Sequence, residues 1–198
     1  MFGLDGFQPW TGVDDKYASS SPRVMVIGEV QVDAPLTDRE SILGKLRAPR
    51  HLAFTNFDQA VLGKRHWEPG YREAVRDLWE RTLFYNYVTT YVPRKAGTPL
   101  TPAIRLDSRH ARLLRDMLAT YKPTHAIVWG YDNWRTMAVD GADWEDEAQL
   151  RCGDIDEPYR GVVVDGTRTL FTRTGHPSAG FVYERWSLLL RRFLELKP

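Results

Sequence analysis

Short apolar runs bounded by turn residues predict five β-strands along the chain. Three of these runs are apolar or aromatic over most of their length, as buried strands are: RVMVIGEV at 23–30, LFYNYVTTYV at 83–92 and THAIVWG at 124–130. The stretch GVVVDGTRTLFTRTG at 161–175 predicts two more strands, joined by a hairpin turn at Asp165 and Gly166.

Apolar residues at helical spacing predict helices between these strands and after the last one. Asp107 or Ser108 is expected to cap the second helix. The predicted helices cover 71–81, 108–121, 131–139 and, as a strongly amphipathic closing helix, 181–196.

Three stretches lack a clear period. We expect a long loop with short helical pieces at 31–63, and a second loop in the proline-containing PRKAGTPLTPAI at 93–104. The acidic stretch at 140–158 is expected to be a surface excursion.

The alternation of strands and helices favours an α/β fold, a three-layer α/β/α sandwich with a central, mostly parallel sheet. A chain of 198 residues suits one domain of this kind. We therefore expect a single domain over residues 1–198, in which residues 1–22 form an N-terminal extension.

Composition narrows the class of protein. The hydrophobic fraction is 42% and no apolar run is long enough to cross a bilayer, so no membrane partner is expected. The first residues lack the pattern of a secretion signal, and we expect a cytoplasmic protein. The single cysteine, Cys152, excludes an intramolecular disulfide and any site built from several thiolates of this chain. The histidines lack metal-ligand spacing, so neither a metal nor a cofactor is expected.

Polar residues interrupt the apolar pattern at or near strand ends. Glu29 closes the first strand, Asn86 lies within the aromatic run FYNYV, and His176 and Ser178 follow the last strand. Because parallel strands open their carboxyl ends on one edge of a sheet, we expect these side chains to converge on one cleft.

Four motifs, in this order, resemble those of the uracil-DNA glycosylase superfamily: GEVQV at 28–32, LAFTNF at 52–57, FYNYV at 84–88 and GHPSAG at 175–180. Their order and spacing carry the resemblance, which spans residues 23–196.

The resemblance implies a uracil-DNA glycosylase-like fold and a role for each motif. Asn86 would read the Watson–Crick edge of a flipped pyrimidine, since an amide offers both a donor and an acceptor. Phe54 would stack on that base, with Phe57 as the alternate. His176 would stabilise charge on the base's carbonyl oxygen as the glycosidic bond breaks. Ser178, with neighbouring backbone N–H groups, would hold a DNA phosphate.

The resemblance also implies a carboxylate at the first motif that orients water and stabilises a cationic sugar. Family members carry Pro and Gly where this chain has Gln31 and Val32. Glu29 and Asp33 are both candidates for the catalytic carboxylate, and the sequence leaves the choice between them open. Members with this motif commonly hold an iron-sulfur cluster through four cysteines, which Cys152 alone cannot do.

Each of these residues also has a structural interpretation. Ser178 caps the closing helix. Asn86 satisfies its amide with backbone groups. Phe54 and Phe57 belong to the core, and Glu29 is a solvated carboxylate paired with a nearby arginine.

Three functional hypotheses fit the sequence. The first is a monomeric DNA glycosylase that flips a base in single- or double-stranded DNA and hydrolyses its N-glycosidic bond. The second is a nucleic-acid or nucleotide-binding module on the same fold that lacks hydrolysis. The third is a small-molecule or protein-interaction domain that shares only the architecture.

Arg105 is one of several basic residues expected at the cleft edge, where phosphates would run.

Overall fold

The structure is a computed structural model that describes residues 9–12, 16–30, 42, 44, 52–89 and 100–198. Within these residues the strands and helices follow one another in this order: β1 (Val24–Val30), α1 (Leu52–Leu62), α2 (Tyr71–Glu80), β2 (Thr82–Val88), α3 (Pro102–Arg105), α4 (Ser108–Tyr121), β3 (His125–Trp129), α5 (Tyr131–Thr136), β4 (Ala148–Cys152), β5 (Ile155–Val164), β6 (Thr167–Thr174) and α6 (Tyr183–Leu194).

The described strands form one sheet in the order β2-β1-β3-β6-β5-β4. β2, β1, β3 and β6 run parallel to one another, whereas β5 runs antiparallel to both β6 and β4. The β5–β6 hairpin turns at Asp165 and Gly166, whose φ values of 47° and 76° are the left-handed values that such a turn needs. The four parallel strands therefore share one carboxyl edge.

Apolar side chains form a separate core on each face of the sheet. One core joins the sheet to α4 and α5: Met25, Ile27, Tyr85, Leu114, Val128 and Trp134 are among its members. The other joins it to α1, α2 and α6: Val26, Phe54, Phe84, Trp129, Leu190 and Phe193 are among its members. Successive residues of β1 enter different cores because strand side chains alternate between faces. The predicted three-layer α/β/α sandwich is confirmed.

The helix predicted at 108–121 is also confirmed, and its ends show why it forms there. The side chain of Asp107 accepts a hydrogen bond from the backbone N–H of Arg109 at 2.9 Å, which caps the first turn. Lys122 follows the last turn with φ 46°, a left-handed residue that stops the helix. Leu114 and Leu118 face the core from its buried side.

Two predictions about loops are wrong. The acidic stretch at 140–158 contains β4 and the start of β5, the outer strands of the sheet. β4 buries only Leu150 of its five residues, so this edge strand lacks the apolar run of a central strand. Within 31–63, α1 is a helix of 11 residues rather than a short helical piece. A one-turn helix, α3, also lies within the loop predicted at 93–104.

In the part of the chain that the structure describes, no helix is long and apolar enough to cross a membrane. The same residues contain no cluster of three or more histidine, cysteine or acidic side chains that could hold a metal ion.

Candidate functional site at the carboxyl ends of the parallel strands

The strand register brings the predicted polar residues to one edge of the sheet. Gly28 of β1 is level with Asn86 of β2, and Trp129 of β3 is level with Thr174 of β6. His176 follows two residues after the end of β6. Neighbouring strands lie about 4.8 Å apart, so the ends of β2 and β6 are separated by three spacings, about 14 Å.

Asn86 is buried against the end of β1, with only 7% of its surface exposed. Its side-chain oxygen lies over Gly28, where a Cβ atom would overlap that oxygen and lie 3.2 Å from Phe84 Cζ. Glycine at position 28 therefore makes room for the amide of Asn86. The amide is directed toward the face of the sheet that carries Phe84 and α1.

The loop after β3 contributes a second amide to this edge. Asn133, in the first turn of α5, is buried and donates a hydrogen bond from Nδ2 to the Gly28 carbonyl oxygen at 3.0 Å. Gly130 precedes the helix with φ 90°, which favours glycine, and its N–H bonds to the Thr174 carbonyl oxygen at 3.0 Å. A Cβ atom at Gly130 would lie 3.8 Å from His176 Cδ2. Gly28 therefore makes room for a polar side chain, whereas Gly130 supplies the backbone conformation with which α5 begins.

His176, Pro177 and Ser178 form a local hydrogen-bonded corner, which we call the histidine corner. The Ser178 hydroxyl lies 2.7 Å from His176 Nδ1, and the Ser178 backbone N–H donates to the same nitrogen at 3.3 Å. A backbone N–H can only donate, so Nδ1 is an acceptor and a neutral ring carries its proton on Nε2. The interpretation of Ser178 as the cap of the closing helix is wrong, because α6 begins after Val182 without a side-chain cap.

Phe54 lies in an aromatic cluster beneath this edge. Its ring centroid is 5.2 Å from Trp79, 5.5 Å from Phe84 and 5.2 Å from Trp129. Trp129 in turn lies edge-on to His176 at 6.4 Å. Phe54 therefore shares one face of the sheet with Asn86 and His176, but only 6% of its surface is exposed. Phe57, the alternate, is more deeply buried still.

Asn56 connects α1 to the loop that holds His176. Its Nδ2 donates a hydrogen bond to the Pro177 carbonyl oxygen at 2.7 Å. α1 also packs along α6, which follows this loop in the chain. The helix that carries Phe54 is therefore bound at its start to the histidine corner.

No protein-family model matches this chain, and no curated protein matches it either.

Glu29 lies on the opposite face of β1 from the Asn86 amide. Its carboxylate accepts from Arg105 Nη2 at 2.6 Å, and the two side chains are 17% and 9% exposed. Asp132 Oδ2 lies 3.6 Å from the same Arg105 nitrogen. Glu29 is therefore paired with an arginine as one interpretation expects, but the pair is largely buried rather than solvated. Arg105 is engaged here rather than free at a cleft edge.

The other predicted carboxylate, Asp33, lies outside the described residues, and so do Gln31 and Val32. Ser178, predicted to hold a phosphate, is the exposed residue of the histidine corner.

A carboxyl group that sequence analysis missed lies in α1. Asp58 is 5% exposed, and its Oδ1 accepts a hydrogen bond from Trp79 Nε1 at 2.8 Å. Burial raises the pKa of Asp58 to about 8, although the hydrogen bond from Trp79 opposes the shift. Asp58 belongs to the same layer as Phe54, so the layer beneath Asn86 and His176 disfavours negative charge.

Three further residues of the site were not predicted to act there: Arg105 as the partner of Glu29, Asn133 and Trp129. Asn133 carried a usable signal, because it is polar and lies in the short helix that follows a buried strand. Trp129 carried none, since a tryptophan at the end of an apolar strand is typical of a core. Its Nε1 and the Thr174 hydroxyl are buried without a hydrogen-bond partner among the described residues.

A cavity of about 320 Å³ lies on the far side of the histidine corner, between Gly175, the β4–β5 turn and the start of α6. Carboxylates and aromatic rings line much of it: Tyr131, Asp154, Asp156, Glu157, Phe181 and Trp186. Both oxygens of Glu157 are engaged, by the Tyr131 hydroxyl at 3.0 Å and by Arg173 Nε at 2.7 Å. Asp154 and Asp156 are paired as well, with Arg185 at 2.8 Å and with Arg151 at 3.0 Å, so arginines compensate the carboxylates on this flank.

Proposed function

We propose that the protein binds a flipped nucleobase of DNA at the carboxyl edge of its parallel strands and hydrolyses the N-glycosidic bond, as DNA-repair glycosylases do. One observation carries the proposal: Asn86 and His176 lie at the same edge and on the same face of the sheet. Asn86 lies near the end of β2 and His176 follows β6, the two outer parallel strands, which three strand spacings separate by about 14 Å, and we propose that the base binds between them. We also propose a monomer, because a cleft that accepts DNA needs an open face.

The chemistry of the two side chains suits this substrate. The Asn86 amide offers one donor and one acceptor to the hydrogen-bonding edge of a base. A neutral His176 with its proton on Nε2 can donate to a carbonyl oxygen of the base, where negative charge develops as the bond to the sugar breaks. Water then adds to the sugar carbon, and the base leaves with a proton.

The layer beneath the site supports a mechanism that uses neutral groups. Phe54, Phe84 and Trp129 form the floor, and the nearby Asp58 carboxyl has a raised pKa. A hydrogen bond from His176 is strengthened in such surroundings because little water competes with it. We propose that Ser178 keeps Nδ1 occupied so that Nε2 faces the base.

The test is a cleavage assay on single- and double-stranded oligonucleotides that contain uracil, hypoxanthine, xanthine or a thymine mismatch. We expect the wild-type protein to release at least one of these bases, and the Asn86→Ala, His176→Ala double variant to lose about 100-fold or more in rate, because a positioned donor contributes that much.

Gln149→Ala serves as the control, since Gln149 is exposed on β4, the edge strand at the far end of the sheet from β2. It should cleave at the wild-type rate. If the wild-type protein and the double variant are equally inactive on every substrate, hydrolysis is not its function.

A second function, binding without hydrolysis, is favoured by the Glu29–Arg105 pair. The pair at 2.6 Å engages the one described carboxylate of the first motif on the face away from Asn86. Filter binding of the same oligonucleotides separates the two functions. Salt-dependent binding that requires Asn86 and His176, without release of any base, would establish the binding module.

A further inference from the structure

An exposed basic and aromatic surface lies at the other end of α1 from the histidine corner. It consists of the turn Lys64–Trp67, with Arg72 and Arg76 of α2 and Arg191 of α6, and we call it the basic turn. Trp67 is 63% exposed, which is unusual for so large an apolar side chain. Arg65 lies over its ring at 5.2 Å from the centroid, and His66 contacts it edge-on at 4.6 Å.

The basic turn has a defined shape. The Glu68 carboxylate accepts from the Arg65 backbone N–H at 3.0 Å, and the Glu68 N–H donates back to the Arg65 carbonyl oxygen at 3.0 Å. Gly63 and Gly70 bracket the turn with φ values of 62° and 74°. Trp67 is therefore presented to solvent by a hydrogen-bonded turn, which reduces the entropy lost when a ligand stacks on it.

Most of the positive charge of the basic turn is uncompensated. Within the described part of the chain, no carboxylate forms an ion pair with the side chains of Lys64, Arg72, Arg76 or Arg191. Arg65 has one distant partner, Glu184, at 3.6 Å. Glu68 and Glu73 belong to the same turn and helix, so the five basic side chains outnumber the acidic ones and leave a positive excess. A positive excess beside an exposed indole suits a polyanion with flat aromatic groups.

The basic turn is connected to the candidate site by α1. Asn56 bonds to Pro177 in the histidine corner, and Gly63, at the other end of the helix, lies beside Ser187 and Arg191 of α6. At 1.5 Å per residue, the turn begins roughly 10 Å from that corner. The three carboxylates on the opposite flank of the corner, Asp154, Asp156 and Glu157, are each paired with an arginine. The unpaired cations of the basic turn therefore favour binding of a polyanion on the flank where that turn lies.

We propose that the basic turn binds single-stranded nucleic acid, with one base stacked on Trp67 and the phosphates beside Lys64, Arg72, Arg76 and Arg191. This inference rests on the proposed function, because it names the form of the nucleic acid that the site receives. A single strand is favoured over a duplex because its bases are free to stack on an indole.

The test measures binding of an oligothymidylate 12-mer at low salt by fluorescence anisotropy. Trp67→Ala should weaken binding about tenfold, whereas Trp67→Phe should retain most of it, because stacking on one aromatic ring accounts for that difference. Binding should quench the indole emission of the wild-type protein more than that of Trp67→Phe, which lacks only this indole.

The charge arm uses the Lys64→Gln, Arg72→Gln double variant. Its slope of log affinity against log salt should be smaller by about 1.4, since each lost contact with a single-strand phosphate removes about 0.7. The matched control is Arg112→Gln, Lys122→Gln, on exposed positions of the α4 layer, and it should keep the wild-type slope.

Several results would overturn the inference. One is equal affinity of Trp67→Ala and wild type, and another is no binding of the 12-mer while lesion-containing duplexes bind through Asn86 and His176. A third is preferential binding of vesicles with anionic headgroups over the 12-mer. By contrast, Trp67-dependent binding of the 12-mer by a protein that releases no base from any of the oligonucleotides would support this inference and refute the proposed function alone.

Discussion

Two buried carboxyl groups on opposite faces of the sheet have opposite surroundings. Glu29 faces α3, where Arg105 holds it at 2.6 Å. Asp58 lies in the layer of α1 and α2, where it accepts a hydrogen bond from Trp79 at 2.8 Å and forms no ion pair with the described residues. Its pKa rises to about 8 because burial disfavours the charged form.

The difference shows that the end of β1 has a charged pair on one face of the sheet and uncharged hydrogen-bonding groups on the other. Gly28 and Glu29 are neighbours in β1, so their side-chain directions are opposite. The Glu29 side supplies a compensated charge pair, and the Gly28 side supplies neutral amides and rings. A ligand that enters on the Gly28 side meets hydrogen-bonding groups rather than charges, which suits the edge of an uncharged base.

The largest effect is expected when the positive charge beside Glu29 is removed. Arg105→Met should lower the free energy of unfolding by about 3 kcal/mol, because it leaves a carboxylate buried without its partner. Urea denaturation measures the change. The Glu29→Gln, Arg105→Met double variant removes both charges and should recover more than half of the loss. A double variant as unstable as the single one would mean that packing, rather than charge, is responsible.

The second test crowds the neutral side. Gly28→Ala should destabilise the protein by about 2 kcal/mol, since a methyl group there overlaps the Asn86 oxygen and forces the amide or the strand to move. Oligonucleotide binding should weaken as well. Gly44→Ala is the control, because a methyl group at Gly44 meets nothing within 4 Å. Unchanged stability and binding in Gly28→Ala would contradict the placement of Asn86.

A third test titrates the unpaired carboxyl. Between its unfolded pKa and about 8, folded Asp58 keeps a proton that the unfolded chain has released, so the wild-type free energy of unfolding should fall as pH rises from 5 to 9. Asp58→Asn keeps an acceptor for Trp79 and should be more stable than wild type at pH 9 by at least about 1 kcal/mol. Parallel pH profiles of the two proteins would refute the raised pKa.

The smallest effect is expected at Ser178, which is exposed on the face of the sheet that carries the uncharged groups. Ser178→Ala removes one hydrogen bond to His176 Nδ1 at 2.7 Å and should change the free energy of unfolding by less than about 0.5 kcal/mol. Nitrogen chemical shifts of His176 should nevertheless show a larger population of the Nδ1–H tautomer. Identical shifts in the variant and the wild type would show that the backbone N–H of Ser178 alone sets the tautomer.

Most of the fold could be predicted from local pattern. The three apolar runs become β1, β2 and β3, because a strand buried on both faces has to be apolar throughout. The edge strand β4 was not predicted. Ala148, Leu150 and Cys152 alternate with polar residues, but only Leu150 is buried and five residues are a short run for a strand signal. The placement of Asn86 and His176 at one edge followed from parallel strands alone, whereas the burial of Phe54 did not.

The sequence by itself determined the alternation of strands and helices, the polar residues at strand ends and the glycines that admit them, because these depend on neighbours along the chain. Only the tertiary structure decided their partners. Arg105 meets Glu29 across 76 positions, Asn133 meets Gly28 across 105, and Asn56 meets Pro177 across 121. Such contacts depend on strand order and register, which arise when separate segments bury their apolar faces together.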